Sequence, residues 1–240
     1  MAAIKLVGVR LDACDVTRIA NFWATLLGWE CEERPHGVVA VVPHTAPAYA
    51  LTVCPVKSPK TSPNRIHFDV TTESATDMRQ MISRSLALGG AEIDIGQAPD
   101  EPHTVLADPE GNEFCVIPPE NRFLADTGVV GAINCDGSQA LGYFWSAALG
   151  WPLVWDQDEE TAIQSPAGGS KITWSGPPLM PRKGRDRLRL ELTTSDPMSV
   201  ACGHLVSLGA REGGPQTATE ASLYDPDGNE FHLTVDSADR

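Results

Sequence analysis

The chain has 240 residues, 42% of them hydrophobic and 21% charged, with a formal charge of −14. That composition is ordinary for one large or two small globular domains, and the acidic excess argues against nucleic-acid or anionic-membrane partners, which are met with Lys and Arg. The six cysteines (14, 31, 54, 115, 135 and 202) include no CxxC pair, so free thiols in a reducing cytoplasm are expected rather than a disulfide framework or zinc knuckle.

"MAAIKLVGVRLDA" runs straight into a strand pattern with no signal-type apolar core, and no apolar run reaches the roughly 18 residues of a membrane span. "LVGVRL" reads as a strand. Asp15 then opens a helical pattern that Leu27-Gly28 closes, since Gly just past a helix end adopts the left-handed conformation without a Cβ penalty. "GVVAVVP" and "YALTVCPV" are β-like, and "PVKSPKTSPN" (55–64) is a linker. "RIHFDV" begins a second unit, whose helix starts at Ser74 with Asp77 three residues on and ends at Leu88-Gly89. "ADPEGNEFCV" (107–116) is a turn feeding a strand, and "PPENRFLADTG" (118–128) is a second linker. "VVGAIN", a helix closed by Leu149-Gly150, the linker "SGPPLMPRKGRD" (175–186), "RLRLEL", a helix from Ser195-Asp196-Pro197 to Leu208-Gly209, and "YDPDGNEFHL" (224–233) complete the chain.

The pattern is a repeat. "NFWATLLGWE" returns as "YFWSAALGWP" 122 residues later, "RIHFDVTT" returns as "RLRLELTT", and the Leu-Gly helix ends recur at spacings of 61, 61 and 59 residues. Four β-α-β-β-β units follow. We place them in two domains, 1–120 and 121–240, of fold class α+β, each of two paired βαβββ units with a curved mixed sheet around a cleft. No Gly-rich phosphate loop is found: "GVVGAI" fits no dinucleotide or P-loop spacing.

The combination of "DACDVTRIANFWATLLGWE", "NRIHFDV" and "DPEGNEF" resembles the vicinal oxygen chelate superfamily of glyoxalases, bleomycin-resistance proteins and extradiol dioxygenases, closest to its glyoxalase-like branch. The resemblance covers about residues 4–118 and 128–236. It implies clefts that hold either a metal or a metal-free small molecule. The family's last-strand ligand position falls on Cys115 and His232, its first-strand position on Gly8 and Val130, and a further position on Arg65 and Arg187. Each cleft then keeps at most one family-position ligand. A shifted register recruits His67 with Glu113, two donors, still short of the three that a catalytic zinc or iron site takes. No metal and no cofactor are therefore expected.

Strand alternation gives a cleft lining without alignment. Ile66, Phe68 and Val70 face a core, so Arg65, His67 and Asp69 face the cleft, joined by Glu113 and Cys115. In the second half Arg187, Arg189 and Glu191 lie opposite Leu188, Leu190 and Leu192, joined by Glu230 and His232. Val7, Val9 and Leu11 point inward, opposite Gly8, Arg10 and Asp12. Asp12, Asn134, Trp155 and Trp174 complete the candidate ligand-binding set, with the two Trp rings as stacking surfaces. Trp23 and Trp145 are assigned to the core.

Two readings of the charges stand. They pair across the sheet, Arg65 with Asp69 or Glu113 and Arg187 or Arg189 with Glu191 or Glu230, or they hold a ligand. The function expected is metal-independent binding of a small organic molecule, aromatic or anionic, by a cytoplasmic monomer whose halves pack about a pseudo-twofold, with dimerisation left open. The alternative is a lyase, isomerase or dioxygenase, with His67, Asp69 and Glu113 in acid–base roles.

Overall fold

The computed structural model describes residues 3–98, 100–181 and 183–236. The first unit comprises β1 (Ile4–Ala13), α1 (Val16–Leu27), β2 (Glu30–Arg34), β3 (Val38–Val42) and β4 (Ala50–Pro55). The second comprises β5 (Ile66–Thr71), α2 (Ala75–Ala87), β6 (Ala91–Glu92), β7 (Thr104–Ala107) and β8 (Glu113–Ile117). The third comprises β9 (Val130–Cys135), α3 (Gln139–Leu149), β10 (Leu153–Gln157), β11 (Glu160–Gln164) and β12 (Lys171–Trp174). The fourth comprises β13 (Leu188–Thr194), α4 (Met198–Leu208), β14 (Arg211–Glu212), β15 (Glu220–Tyr224) and β16 (Glu230–Val235). Among the described residues no helix is long and apolar enough to cross a membrane.

Local chemistry sets the helix ends. Asp15 accepts from the Arg18 amide at 3.0 Å, and Ser74 accepts from the Asp77 amide while Asp77 accepts in return from the Glu73 amide, satisfying donors that the first turn leaves open. Gly28 and Gly150 stop α1 and α3 in the left-handed region, at φ 69° and 68°.

Strand pairing does not follow the sequence halves. One sheet runs β14-β15-β16-β13-β1-β4-β3-β2 and joins the fourth unit to the first; the other runs β10-β11-β12-β9-β5-β8-β7-β6 and joins the third to the second. The unit pairs that share a sheet are thus drawn from both halves, not from one half as the sequence reading had them. Within a half the units meet through their helices instead. Trp23 on α1 packs edge-on to Phe68 at 5.4 Å and Phe114 at 5.1 Å in the opposite sheet, and Trp145 on α3 meets Phe231 at 5.0 Å. Both Trp rings are 1% exposed, so α1 and α3 knit the two sheets into one apolar core.

That packing explains the repeated turn. Asp108 accepts from the Glu110 and Asn112 amides, the Asn112 side chain and the Trp23 indole at 3.2 Å. Asp225 does the same with the Asp227 and Asn229 amides, the Asn229 side chain and the Trp145 indole at 3.4 Å. Each turn carboxylate satisfies its own loop and the buried indole N–H of the helix above it, a donor that burial would otherwise leave unpaired.

Alternation holds on β5 and β13 but breaks once on β1. The register shifts between Leu6 and Gly8, so Leu6 enters the core and Val7, expected inward, is 40% exposed. Gly8 is required there, since a Cβ would meet the Ala50 carbonyl oxygen at 2.3 Å.

Candidate functional site

Each sheet buries one face against the helices and leaves the other open. On the open face of the β9–β5 sheet, His67 stands opposite Asn134 and Asp69 opposite Cys115 by strand register. His67 Nε2 lies 3.5 Å from an Asp69 carboxylate oxygen. Cys115 is buried, and burial first, then the Asp69 charge and its hydrogen bond, drive its thiol pKa far up. A neutral, packed thiol is no nucleophile. Cys115 belongs to a small apolar cluster with Val105, Ile117, Leu124 and Ala132, against which Phe123 packs.

A cavity of about 310 Å³ opens beside this cluster, bordered by Asp69, Asn134, Trp155 and Thr173 on the strands of the sheet, by Ser175 just past β12 and by Phe123 from the linker. The Trp155 and Phe123 rings meet edge-on at 5.7 Å, and Trp155 stays 38% exposed. Ser175 donates to the Asn134 side-chain oxygen at 2.9 Å. The Thr173 hydroxyl is buried with no hydrogen-bond partner among the described residues. Glu160 is the second carboxylate at the rim. Lys171 donates to the Phe123 carbonyl and lies 4.0 Å over its ring, and burial lowers its pKa.

Of the sequence candidates, His67, Asp69, Cys115, Asn134 and Trp155 come together here. Trp174 borders the cavity but is 1% exposed and packs in the main core, because its strand turns it toward the helices; it offers no stacking face. Arg65 pairs with Asp136, Nε to Oδ2 at 2.8 Å, rather than with Asp69 or Glu113. Glu113 is held by Lys60 and by the Asn64 amide. Phe123, Thr173, Ser175, Glu160 and Asp136 were not among the candidates. The one available signal was the Phe-Leu pair inside a linker otherwise rich in turn formers and charge.

The open face of the β1–β13 sheet is built differently. Arg189, 1% exposed, forms a two-point pair with Asp12 at 2.6 and 3.0 Å, and Arg185 lies 3.6 Å from Asp12 and 3.3 Å from Glu230. Glu191 accepts from Thr52 at 2.6 Å. The expected partners of Arg189, Glu191 or Glu230, are displaced by Asp12, because β1 lies beside β13; Glu230 comes only to 4.0 Å. His232 is 9% exposed, and burial first, then Arg10 and Arg189, lower its pKa against the opposing pull of Glu191 and Glu220. Arg187 donates to the Asp12 and Ser58 carbonyls.

The donor atoms of His67, Asp69 and Cys115 all lie within 4.8 Å of one another. Three donors in one cluster exceed the two that the shifted sequence register allowed, because β8 sets Cys115 beside Asp69. A nitrogen, an oxygen and a sulfur fit a zinc-class ion and not Mg²⁺ or Ca²⁺, which take oxygen, and of the three residues Asp69 also borders the cavity. Cys115 has to lose its proton for that. Without metal the Cys115 thiol hydrogen-bonds Asp69, and His67 Nε2 stays 3.5 Å from the same carboxylate.

Two sheets of repeated βαβββ units, each with a polar open face, define the class of cleft-bearing vicinal oxygen chelate proteins. The glyoxalase-like domain pattern matches residues 8–117 and again 131–234, and the chain belongs to that family. Glyoxalase I from Zea mays has the same fold, with a TM-score of 0.64 at 15% identity over 97% of this chain and 92% of that one. A putative dioxygenase from Bacillus subtilis superposes with a TM-score of 0.62 at 12% identity, covering 97% of this chain and 86% of its own. No curated protein matches significantly.

Proposed function

We propose that the pocket on the β9–β5 sheet binds a small planar organic molecule without a metal, its flat face against Trp155, with Phe123 closing one side, and its polar edge toward Asp69, Asn134 and Thr173. The carrying observation is the cavity of about 310 Å³ whose border joins a half-exposed Trp to a buried hydroxyl lacking a partner. A ligand that hydrogen-bonds Thr173 removes an unpaired polar group, and the volume lies in the range of small-molecule sites. Two carboxylates at the border, Asp69 and Glu160, favour a neutral or cationic ligand with N–H donors. That preference departs from the anionic option expected from the sequence.

The test is equilibrium binding of planar heteroaromatic amines, with Trp155→Ala and Asp69→Asn as the diagnostic variants. An aromatic contact and a charge-assisted hydrogen bond predict losses of about tenfold each. Binding that survives both substitutions would place the ligand elsewhere. The converging donors of His67, Asp69 and Cys115 favour a second reading, a lyase, isomerase or dioxygenase that holds a zinc-class ion at these residues. Such an ion would supply Lewis acidity; the protein residues would orient substrate, with Asn134 and Ser175 as hydrogen-bonding groups and the aromatic pair excluding water.

A further inference from the structure

Away from that pocket, the two proline-rich linkers meet. A cavity of about 270 Å³ lies between residues 58–65 and 183–187, bordered by Lys60, Arg65, Lys183, Arg185 and Arg187. In a chain of net charge −14 this is an unusual gathering of cations. Most are neutralised. Lys60 is paired with Glu113, Arg65 with Asp136, and Arg185 with Glu230 and Asp12.

Arg187 and Lys183 are not. Arg187 stands at the start of β13 as Arg65 stands before β5: the Asp12 amide donates to the Arg187 carbonyl at 3.0 Å, just as the Asp136 amide donates to the Arg65 carbonyl at 2.7 Å. Arg65 therefore has its carboxylate, and the matching carboxylate for Arg187 is Asp12. Asp12, however, is taken by Arg189 on both oxygens. The guanidinium of Arg187 is left with two carbonyl acceptors, Asp12 and Ser58, and has no carboxylate within 4.0 Å among the described residues. Those two bonds fix its plane and leave three of its five N–H donors for another partner. The Lys183 ammonium has no ion-pair partner among the described residues, and the Ser58, Thr61 and Ser62 segment adds hydroxyls to the same border. Of the bordering carboxylates, Asp12 is committed as above and Asp186 accepts from the Glu230 amide at 3.4 Å.

We propose that this cavity binds a small phosphate-bearing anion, with Arg187 and Lys183 as its charge partners. A planar donor fork held by carbonyls and an exposed ammonium suit the oxygens of a dianionic phosphate, and the volume admits the ion alone or a small monoester.

The experiment is calorimetric titration of the full chain in chloride buffer, with inorganic phosphate in one arm and phenyl phosphate in the other. Saturable binding of one equivalent is expected, weakened about tenfold or more by Arg187→Gln and by Lys183→Gln, and weakened by added salt. Gln at 187 keeps a donor for the backbone carbonyls, and Lys183 is exposed, so at least one variant folds normally. Tighter binding of phenyl phosphate identifies a monoester site, and equal binding identifies a site for the free ion. Heat from neither compound, or equal affinity in both variants, overturns the proposal. Loss of phosphate binding in Trp155→Ala also overturns it, by moving the anion to the other pocket.

Discussion

Replacing Arg189 with Met separates a structural ion pair from a ligand-binding arginine. Arg189 is 1% exposed and Asp12 6%, and their two contacts are 2.6 and 3.0 Å. Met fills much of the same space but leaves Asp12 buried without its main partner. Breaking one side of a buried pair costs about 3–5 kcal/mol. Arg185 lies 3.6 Å from Asp12 and is itself 60% exposed, so it can move closer and recover part of this. The lower end, about 3 kcal/mol, is expected. For a chain of this size each kcal/mol lowers Tm by about 2–4 °C, so Tm should fall by roughly 6–12 °C.

Urea unfolding followed by tryptophan emission provides the assay. The double variant Asp12→Leu with Arg189→Met removes both charges and should regain most of the loss, since no unpaired charge remains. Ligand affinity at the Trp155 pocket should be unchanged in all of these chains. A single variant within about 0.5 kcal/mol of the parent would refute the reasoning. So would a double variant no more stable than the single one.

Burial lifts the Asp225 carboxyl to about 6 from its ordinary 3.8, so the folded chain holds a proton that the unfolded chain releases. The associated stability is complete below about pH 4 and is lost as pH rises through 6, by about 3 kcal/mol at 1.36 kcal/mol per unit. An NMR titration of this carboxyl carbon with a midpoint near 4 would contradict it. Under the metal-free reading, added Co²⁺ should produce no thiolate-to-metal absorption and chelator should leave Tm unchanged. An absorption band that disappears in Cys115→Ser would establish the second reading. Sedimentation at micromolar concentration should give a monomer, since the two sheets already pair units from both halves; an obligate dimer would contradict this.

Much of the local architecture was legible because its signals are local. The Leu-Gly helix ends, the Asp15 and Ser74 caps and the face carrying His67, Asp69 and Cys115 follow from conformational preference and the period of two. Strand partners are another matter. Nothing in "RLRLEL" says that β1, some 180 residues earlier, lies beside it, so the pattern alone does not offer Asp12 as the partner of Arg189. The same blindness hid Asp136 from Arg65. The β-bulge that expels Val7 depends on the close approach of Gly8 to Ala50, a contact between strands and not a pattern within one. Phe123 and Leu124 were hidden by their surroundings, since a segment of Pro, Asn, Asp and Gly reads as linker whatever two apolar residues it carries.

The register also explains why the two open faces differ in kind. Asn134 opposite His67 on one sheet corresponds to Arg10 opposite Arg189 on the other, and Cys115 beside Asp69 corresponds to His232 beside Glu191. On the second sheet, long cationic side chains occupy the positions that smaller groups hold on the first. Arg189 takes Asp12, with Glu230 at 4.0 Å, while Glu191 accepts from Thr52 and the buried Arg10 Nε has no hydrogen-bond partner among the described residues. Such a face is filled by its own ion pairs. On the first sheet, Ala132 and the small polar groups leave room, and the linker lays Phe123 over the space that remains. One duplicated unit thus yields a pocket where its side chains stay short and a network where they lengthen. The charge displaced by that network, Arg187, is what turns the linker cavity toward anions.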